Sequence, residues 1–218
     1  MRKKSQIILL VLMVLTALFQ CKKSDEDDGN GDGNGNGSRN LNELIVVFVG
    51  ASITENWDFG HYFSGYNFQK VIHYDWDKTQ AWDQVQALHP NVVLVKICGA
   101  YFYTDGGTPL DEFENSVQDM VGRIRNIGAI PVLCTSLPLD VGYGDCTQEQ
   151  LDDLRTFNNW VRSYCSSQSI VCMDYYQRIA DGQGQLPASC HDGDGLHPNS
   201  AGYDILSPLV IPTLQSAI

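Results

Sequence analysis

The stretch LIVVFVGASIT, residues 44–54, sets six large apolar residues (Leu44 to Val49) directly before Gly50, Ala51 and Ser52. A strand with one wet face alternates apolar and polar residues, whereas an unbroken apolar run reads as a strand buried on both faces, as in a parallel sheet. Three more runs share this character, Val92 to Cys98, Ile130 to Thr135 and Ile170 to Met173, and a fifth, Phe68 to His73, is weaker. Between them Phe113, Val117, Met120, Val121 and Ile124, and later Leu151, Leu154, Phe157, Val161 and Tyr164, recur at the period of an amphipathic helix. A last helix is expected from about Ser200, capped by Asn199 or Ser200 and interrupted at Pro208 and Pro212.

Strands alternating with helices predict an α/β fold over residues 41–218, a three-layer α/β/α sandwich with a parallel, flavodoxin-like five-stranded sheet. Such sheets bind ligands beyond the carboxyl ends of their strands. Ser52 stands there, directly after the first run. Near the other end of the chain, Asp194-Gly195-Leu196-His197-Pro198 places a carboxylate three residues before an imidazole. A serine hydroxyl is a poor nucleophile near neutral pH and needs a base, which in turn needs an orienting acid. The loop provides both, although a serine after a strand, taken by itself, is more often a helix cap or turn residue than a nucleophile.

VFVGASIT (47–54) resembles the first sequence block of the SGNH/GDSL-type serine hydrolases, and DGLHPN (194–199) resembles their last; NVVLVKICG (91–99) and AIPVLCTS (129–136) are similar to the strands between. The resemblance covers residues 44 to about 214. It implies that Ser52 is the nucleophile, His197 the general base and acid, and Asp194 its orienter, with Asp192 and His191 read as solvated loop residues. It also implies an oxyanion hole built from the serine N–H, a glycine after the second strand and an asparagine after the third. Here Asp75, within His73-Tyr74-Asp75-Trp76-Asp77, lies near the place of the glycine, and Tyr101, following Gly99 and Ala100, takes the place of the asparagine. An oxyanion donor is worth roughly 10²–10³ in rate, and a nearby carboxylate opposes developing negative charge. Lys96, charged within an apolar strand, is expected either to pair with Asp75 or Asp77 beside this pocket or to carry its head to solvent.

Residues 1–20 have a basic start (Arg2, Lys3, Lys4) and an apolar run from Ile7 to Phe19, the layout of a signal peptide too short to span a bilayer. Leu18-Phe19-Gln20-Cys21 resembles a lipobox, which makes Cys21 the expected lipidation site, and residues 21–40 an acidic, Gly/Asn-rich tether. The expected location is the cell envelope, lipid-anchored to the outer membrane; the acidic run after Cys21 also resembles a surface-export signal and is equally an ordinary solubilising linker. Removing residues 1–20 deletes three positive charges and no negative ones, moving the formal charge from −12 to −15. So acidic a chain disfavours nucleic acid and any membrane contact beyond the anchor.

Six further cysteines (Cys98, Cys134, Cys146, Cys165, Cys172 and Cys190) allow disulfides in an oxidising compartment. Cys146 and Cys190, in Gly/Asp-rich loops, are the first candidates for a bridge, while Cys98 and Cys134 sit in apolar runs and suit free thiols as well as bridges. The five histidines are scattered and no Cys/His spacing resembles a zinc cluster, so neither a metal nor a cofactor is expected. Trp57, Phe59, Tyr62, Tyr66, Trp76, Trp82, Tyr101, Phe102 and Tyr103 gather toward the mouth, mostly as packing residues with some open to stacking on sugar rings. The expected activity is metal-independent hydrolysis of a small-molecule or glycan carboxylic ester, such as deacetylation of a carbohydrate. The competing reading is a degenerate domain that binds a glycan or protein partner without turnover.

Overall fold

The structure, a computed structural model, describes residues 39–103 and 108–218, with the side chain of Tyr103 left aside. The signal segment, Cys21 and most of the tether lie outside the described residues. The apolar runs form β1 (Ile45–Gly50), β2 (Asn67–Ile72), β3 (Val92–Lys96), β4 (Ile130–Cys134) and β5 (Val171–Met173). All pair in parallel, in the order β2-β1-β3-β4-β5, the flavodoxin-like arrangement the pattern predicts. The order reverses between β1 and β3, and such a switch point opens a crevice at the carboxyl ends of the strands.

Among the described residues seven α-helices flank the sheet: α1 (Ser52–Asn56), α2 (Phe59–Tyr62), α3 (Trp82–Ala87), α4 (Leu110–Asn126), α5 (Gln148–Gln168), α6 (Tyr175–Ile179) and α7 (Ser200–Ala217). Side chains alternate across the sheet because the strand period is two. Val47, Val49, Val93 and Val95 pack with residues of α3, α4 and α5, such as Val85, Met120 and Leu154. Val46, Phe48, Val92 and Leu94 face the other layer, with Ile53 of α1, Ile179 of α6 and Leu206 of α7. Each such fully buried side chain contributes about 1.5–3 kcal/mol, which is why the strands read as continuous apolar runs.

Two expectations are corrected. α7 is not interrupted: it runs through Pro208 and Pro212. Prolines remove ladder donors, and other donors sit around both: Ser207 Oγ and Thr213 Oγ1 bond the carbonyls of Tyr203 and Leu209 at 2.7 Å, and Arg178 Nε bonds that of Ile205 at 2.9 Å. Asn199 caps the helix, its side chain accepting Gly202 N–H at 3.1 Å. Nor are Cys146 and Cys190 joined to each other in the structure: Cys146 Sγ faces the Gly195 carbonyl at 3.7 Å, and Cys190 Sγ faces Ser189 Oγ at 3.7 Å. Among the described residues no helix is long and apolar enough to cross a membrane.

Candidate active site

Ser52 is the first residue of α1, reached by a turn that only glycine allows: a Cβ on Gly50 would lie 2.0 Å from Thr54 Oγ1. The open carbonyls of this short helix are met by distant residues. Tyr203 of α7 donates to Ile53 O at 2.9 Å, and Lys70 of β2 donates to Glu55 O and Trp57 O at 2.8 and 2.5 Å. A five-residue helix has little stability of its own, so these bonds and the burial of Ile53 and Trp57 hold Ser52 at the sheet edge.

The loop between β5 and α7 meets it there. His197 Nε2 is 2.8 Å from Ser52 Oγ, and His197 Nδ1 is 2.5 Å from Asp194 Oδ2. Asp194 Oδ1 accepts the main-chain N–H groups of Leu196 and His197, each at 2.9 Å, which closes the loop into a tight turn. Burial works to raise the pKa of Asp194, but the two N–H groups and the imidazole together outweigh it and bring it to about 2. The carboxylate is therefore ionised over the ordinary pH range, as an orienting acid must be. Gly195 takes φ +73°, and a Cβ there would meet the Asp140 carbonyl oxygen at 2.7 Å, so the glycine of DGLHPN is a steric requirement.

The other expected pocket residues are placed differently. Lys96 pairs with neither Asp75 nor Asp77 and does not reach solvent: it is 2% exposed, and its Nζ has no hydrogen-bond partner among the described residues. The partners go instead to Lys78, 1% exposed, which had no role in the sequence reading. Lys78 Nζ donates to His73 O at 2.5 Å and to Asp75 O, reaches Tyr101 Oη at 3.3 Å, and lies 4.7 Å from the centre of the Tyr101 ring. Burial, and next the charge of Lys96, lower the pKa of Lys78 to about 7. Tyr101 Oη donates to His73 O at 3.3 Å, so its hydroxyl is engaged with the loop after β2. Gly99 is buried, its Cβ position closed at 3.0 Å by Leu139 and Leu154. Asp75 Oδ1 accepts Asp77 N–H at 3.1 Å, and Asp77 Oδ1 in turn caps the following turn through Thr79 and accepts Ser116 Oγ at 2.8 Å.

His191 is not solvated either. Its side chain is 1% exposed and its Nε2 lies 2.9 Å from Asp140 Oδ2, whereas Asp192 is exposed as expected. Of the aromatics, Trp57 is core, bonded to Ser207 Oγ at 2.9 Å, and Phe102 stacks on Phe113. Outside the expected set, Tyr74 is 63% accessible and donates to Glu55, and Tyr143, 44% accessible, lies edge-on to His191 beside the Asp194 loop.

A doubly wound parallel sheet with serine, imidazole and carboxylate in hydrogen-bonded series at its carboxyl edge defines the class of serine hydrolases. The sequence profile of the GDSL-like lipase/acylhydrolase family matches residues 28–205, and the chain belongs to that family; it is a serine esterase that hydrolyses esters. Solved structures agree in fold. A GDSL-like lipase from Bacteroides thetaiotaomicron is 21% identical, with 83% of this chain and 92% of that one covered and a TM-score of 0.71. A catalytic variant of an acetylxylan esterase from Geobacillus stearothermophilus is 15% identical, with 79% and 94% covered and a TM-score of 0.63. No curated protein sequence matches the chain.

Proposed function

We propose that Ser52, His197 and Asp194 carry out the ester hydrolysis, and that the substrate is a small acyl ester, such as acetate, on a carbohydrate. The observation that carries the residue roles is the unbroken series of contacts, 2.8 Å from Ser52 Oγ to His197 Nε2 and 2.5 Å from His197 Nδ1 to Asp194. In this reading Ser52 Oγ bonds the acyl carbon as its proton passes to His197 Nε2. The tetrahedral adduct expels the alcohol, which takes that proton back, and a water activated by the same imidazole releases the acid. Asp194 stays ionised and holds the imidazolium while it exists.

The Ser52 N–H, at the first position of α1, has no carbonyl one turn before it and is a donor for the oxyanion. Further donors come from the loop after β2, where the N–H groups of Tyr74, Asp75 and Trp76 bond no acceptor among the described residues. Lys78 turns the carbonyls of His73 and Asp75 toward itself, and because the peptide is planar and trans it turns the next N–H groups the opposite way. Main-chain donors on a braced loop thus stand in for the missing glycine and asparagine. The carbohydrate part rests on the acetylxylan esterase similarity, on the exposed Tyr74 and on an acidic surface suited to neutral substrates. Export through residues 1–20 and anchoring at Cys21 in the outer membrane belong to the same proposal, since an envelope esterase would meet polymeric glycan esters.

Hydrolysis of p-nitrophenyl acetate, p-nitrophenyl butyrate and acetylated xylan, with fluorophosphonate labelling, tests it. Turnover and labelling lost together in Ser52→Ala, with acetate preferred over butyrate, are the expected results. A folded protein that neither turns over nor labels would overturn the residue roles and favour a domain that binds glycan without chemistry. Activity on the nitrophenyl esters with none on xylan would overturn only the substrate.

A further inference from the structure

The loop carrying Asp194 and His197 contains a second histidine–carboxylate pair that the relay does not use. His191 Nδ1 accepts the main-chain N–H groups of Gly193 and Gly195 at 2.9 and 3.1 Å, while its Nε2 lies 2.9 Å from Asp140 Oδ2. A ring nitrogen that accepts two N–H bonds carries no proton. The proton is therefore on Nε2, directed at the Asp140 carboxylate, and one neutral tautomer satisfies every contact.

The two N–H groups gathered by His191 belong to the residues on either side of Asp194. The same loop is tied again to the segment after β4: Asp140 N–H donates to Gly195 O at 2.9 Å. Its base is closed by a bridge between His191 and Pro198 and by Asn199 Nδ2 donating to His191 O at 3.0 Å. The main chain entering and leaving Asp194 is thus held by one buried ring, and that ring is held by the sheet-edge segment that carries Asp140.

We propose that His191 and Asp140 are positioning residues for the esterase reaction, the buried imidazole fixing the peptides around Asp194 so that its carboxylate stays in contact with His197. This inference rests on the reading of Ser52, His197 and Asp194 given above. An apolar ring of the same shape would fill the space but leave two main-chain N–H groups and a carboxylate without their partner. Asparagine, by contrast, places an amide oxygen where Nδ1 lies and keeps the acceptor.

The test compares wild type with His191→Phe, His191→Asn and Asp140→Asn in the full chain. It measures kcat and KM on p-nitrophenyl acetate well below each melting temperature, together with the far-downfield proton resonance of the short His197–Asp194 hydrogen bond. A misplacement near 1 Å costs about 10²-fold, so His191→Phe should lower kcat by roughly 10- to 100-fold with KM little changed, and should shift or abolish the resonance. His191→Asn should restore most of the lost kcat and the resonance. Wild-type kcat and an unmoved resonance in folded His191→Phe would overturn the proposal, as would equal losses in the Phe and Asn variants. If His191→Phe does not fold, Asp140→Asn decides: a reduced kcat with a shifted resonance supports the proposal, and no change in either overturns it. Should wild type lack turnover and Ser52 labelling, the relay reading fails by itself, and the resonance in the variants still reports whether His191 positions Asp194.

Discussion

Replacing Lys96 by methionine should stabilise this protein. Its ammonium is buried at 2% residue exposure with no acceptor among the described residues, and its charge opposes that of Lys78. Desolvating an ammonium costs several kcal/mol even after relaxation, and even for a buried ion pair, where the charges compensate each other, exchange for apolar residues of similar volume is often neutral or gains about 1–4 kcal/mol. Methionine follows the lysine stem and adapts its shape, so cavity and clash terms stay small. A gain of about 2 kcal/mol corresponds to a melting temperature higher by about 4–8 °C in a domain of this size. Urea unfolding and thermal melts at one pH measure it. Lys78→Met is the matched comparison with the opposite sign, since it strips a donor from His73 O, Asp75 O and Tyr101 Oη, and each buried acceptor left alone costs about 1–3 kcal/mol. A Lys96→Met protein destabilised by about 1 kcal/mol or more would refute the reasoning, because it would mean that Nζ has a partner worth keeping.

Lys78 also gives stability a pH dependence. Its pKa falls from 10.5 to about 7 on folding, chiefly through burial, so between those values the unfolded chain binds more protons and stability rises with pH, by up to about 1.4 kcal/mol per unit. The stability of wild type relative to Lys78→Met should therefore increase from about pH 7 to about pH 9 in urea unfolding, and a constant difference would contradict the burial. Asp194→Asn, which keeps the shape of the loop but loses the ionised acceptor, should lower kcat by about 10⁴-fold, and a loss under tenfold would remove Asp194 from the relay. Gly195→Ala, forced to φ +73° with its Cβ 2.7 Å from Asp140 O, should cost about 1–3 kcal/mol in thermal unfolding. Gly65→Ala, at φ +91° with no atom within 4 Å, should cost less, and equal costs would show that the contact with Asp140 O is irrelevant.

The sheet was legible because burial on both faces leaves a direct mark. Val46, Val47, Phe48 and Val49 are all buried, so no polar residue is tolerated anywhere in that run. β2, at the edge, carries Asn67, Gln69 and Lys70, and its apolar pattern is correspondingly weak. The contacts among Ser52, His197 and Asp194 were legible for another reason. Asp194 and His197 are three residues apart and interact within one turn, so their geometry is local, and Ser52 needs only the order of β1 and α1 to reach the same edge. The continuity of α7 was hidden because Ser207, Arg178 and Thr213 supply donors beside its prolines, and Arg178 comes from another helix.

Lys78 and His191 show why the braces around a site escape such a reading. Each lies in a polar, turn-rich stretch that looks solvated, and each is buried because main-chain groups released by the fold must find partners. β2 ends at Ile72, so the carbonyls of His73 and Asp75 lie beyond the ladder, partly buried, and the donor that meets them is Lys78, three residues beyond Asp75. On the loop before α7 the Gly193 and Gly195 N–H groups likewise lie outside any ladder, and His191 accepts both. Lys96 drew attention as a charge in an apolar strand, yet it is the last residue of β3, in register with Cys134 of β4, and its ammonium meets no acceptor among the described residues. A conspicuous charge in an apolar run is therefore no guide to where partners lie: the groups that hold Lys78 and His191 are main-chain groups that the loops leave outside the sheet and helices.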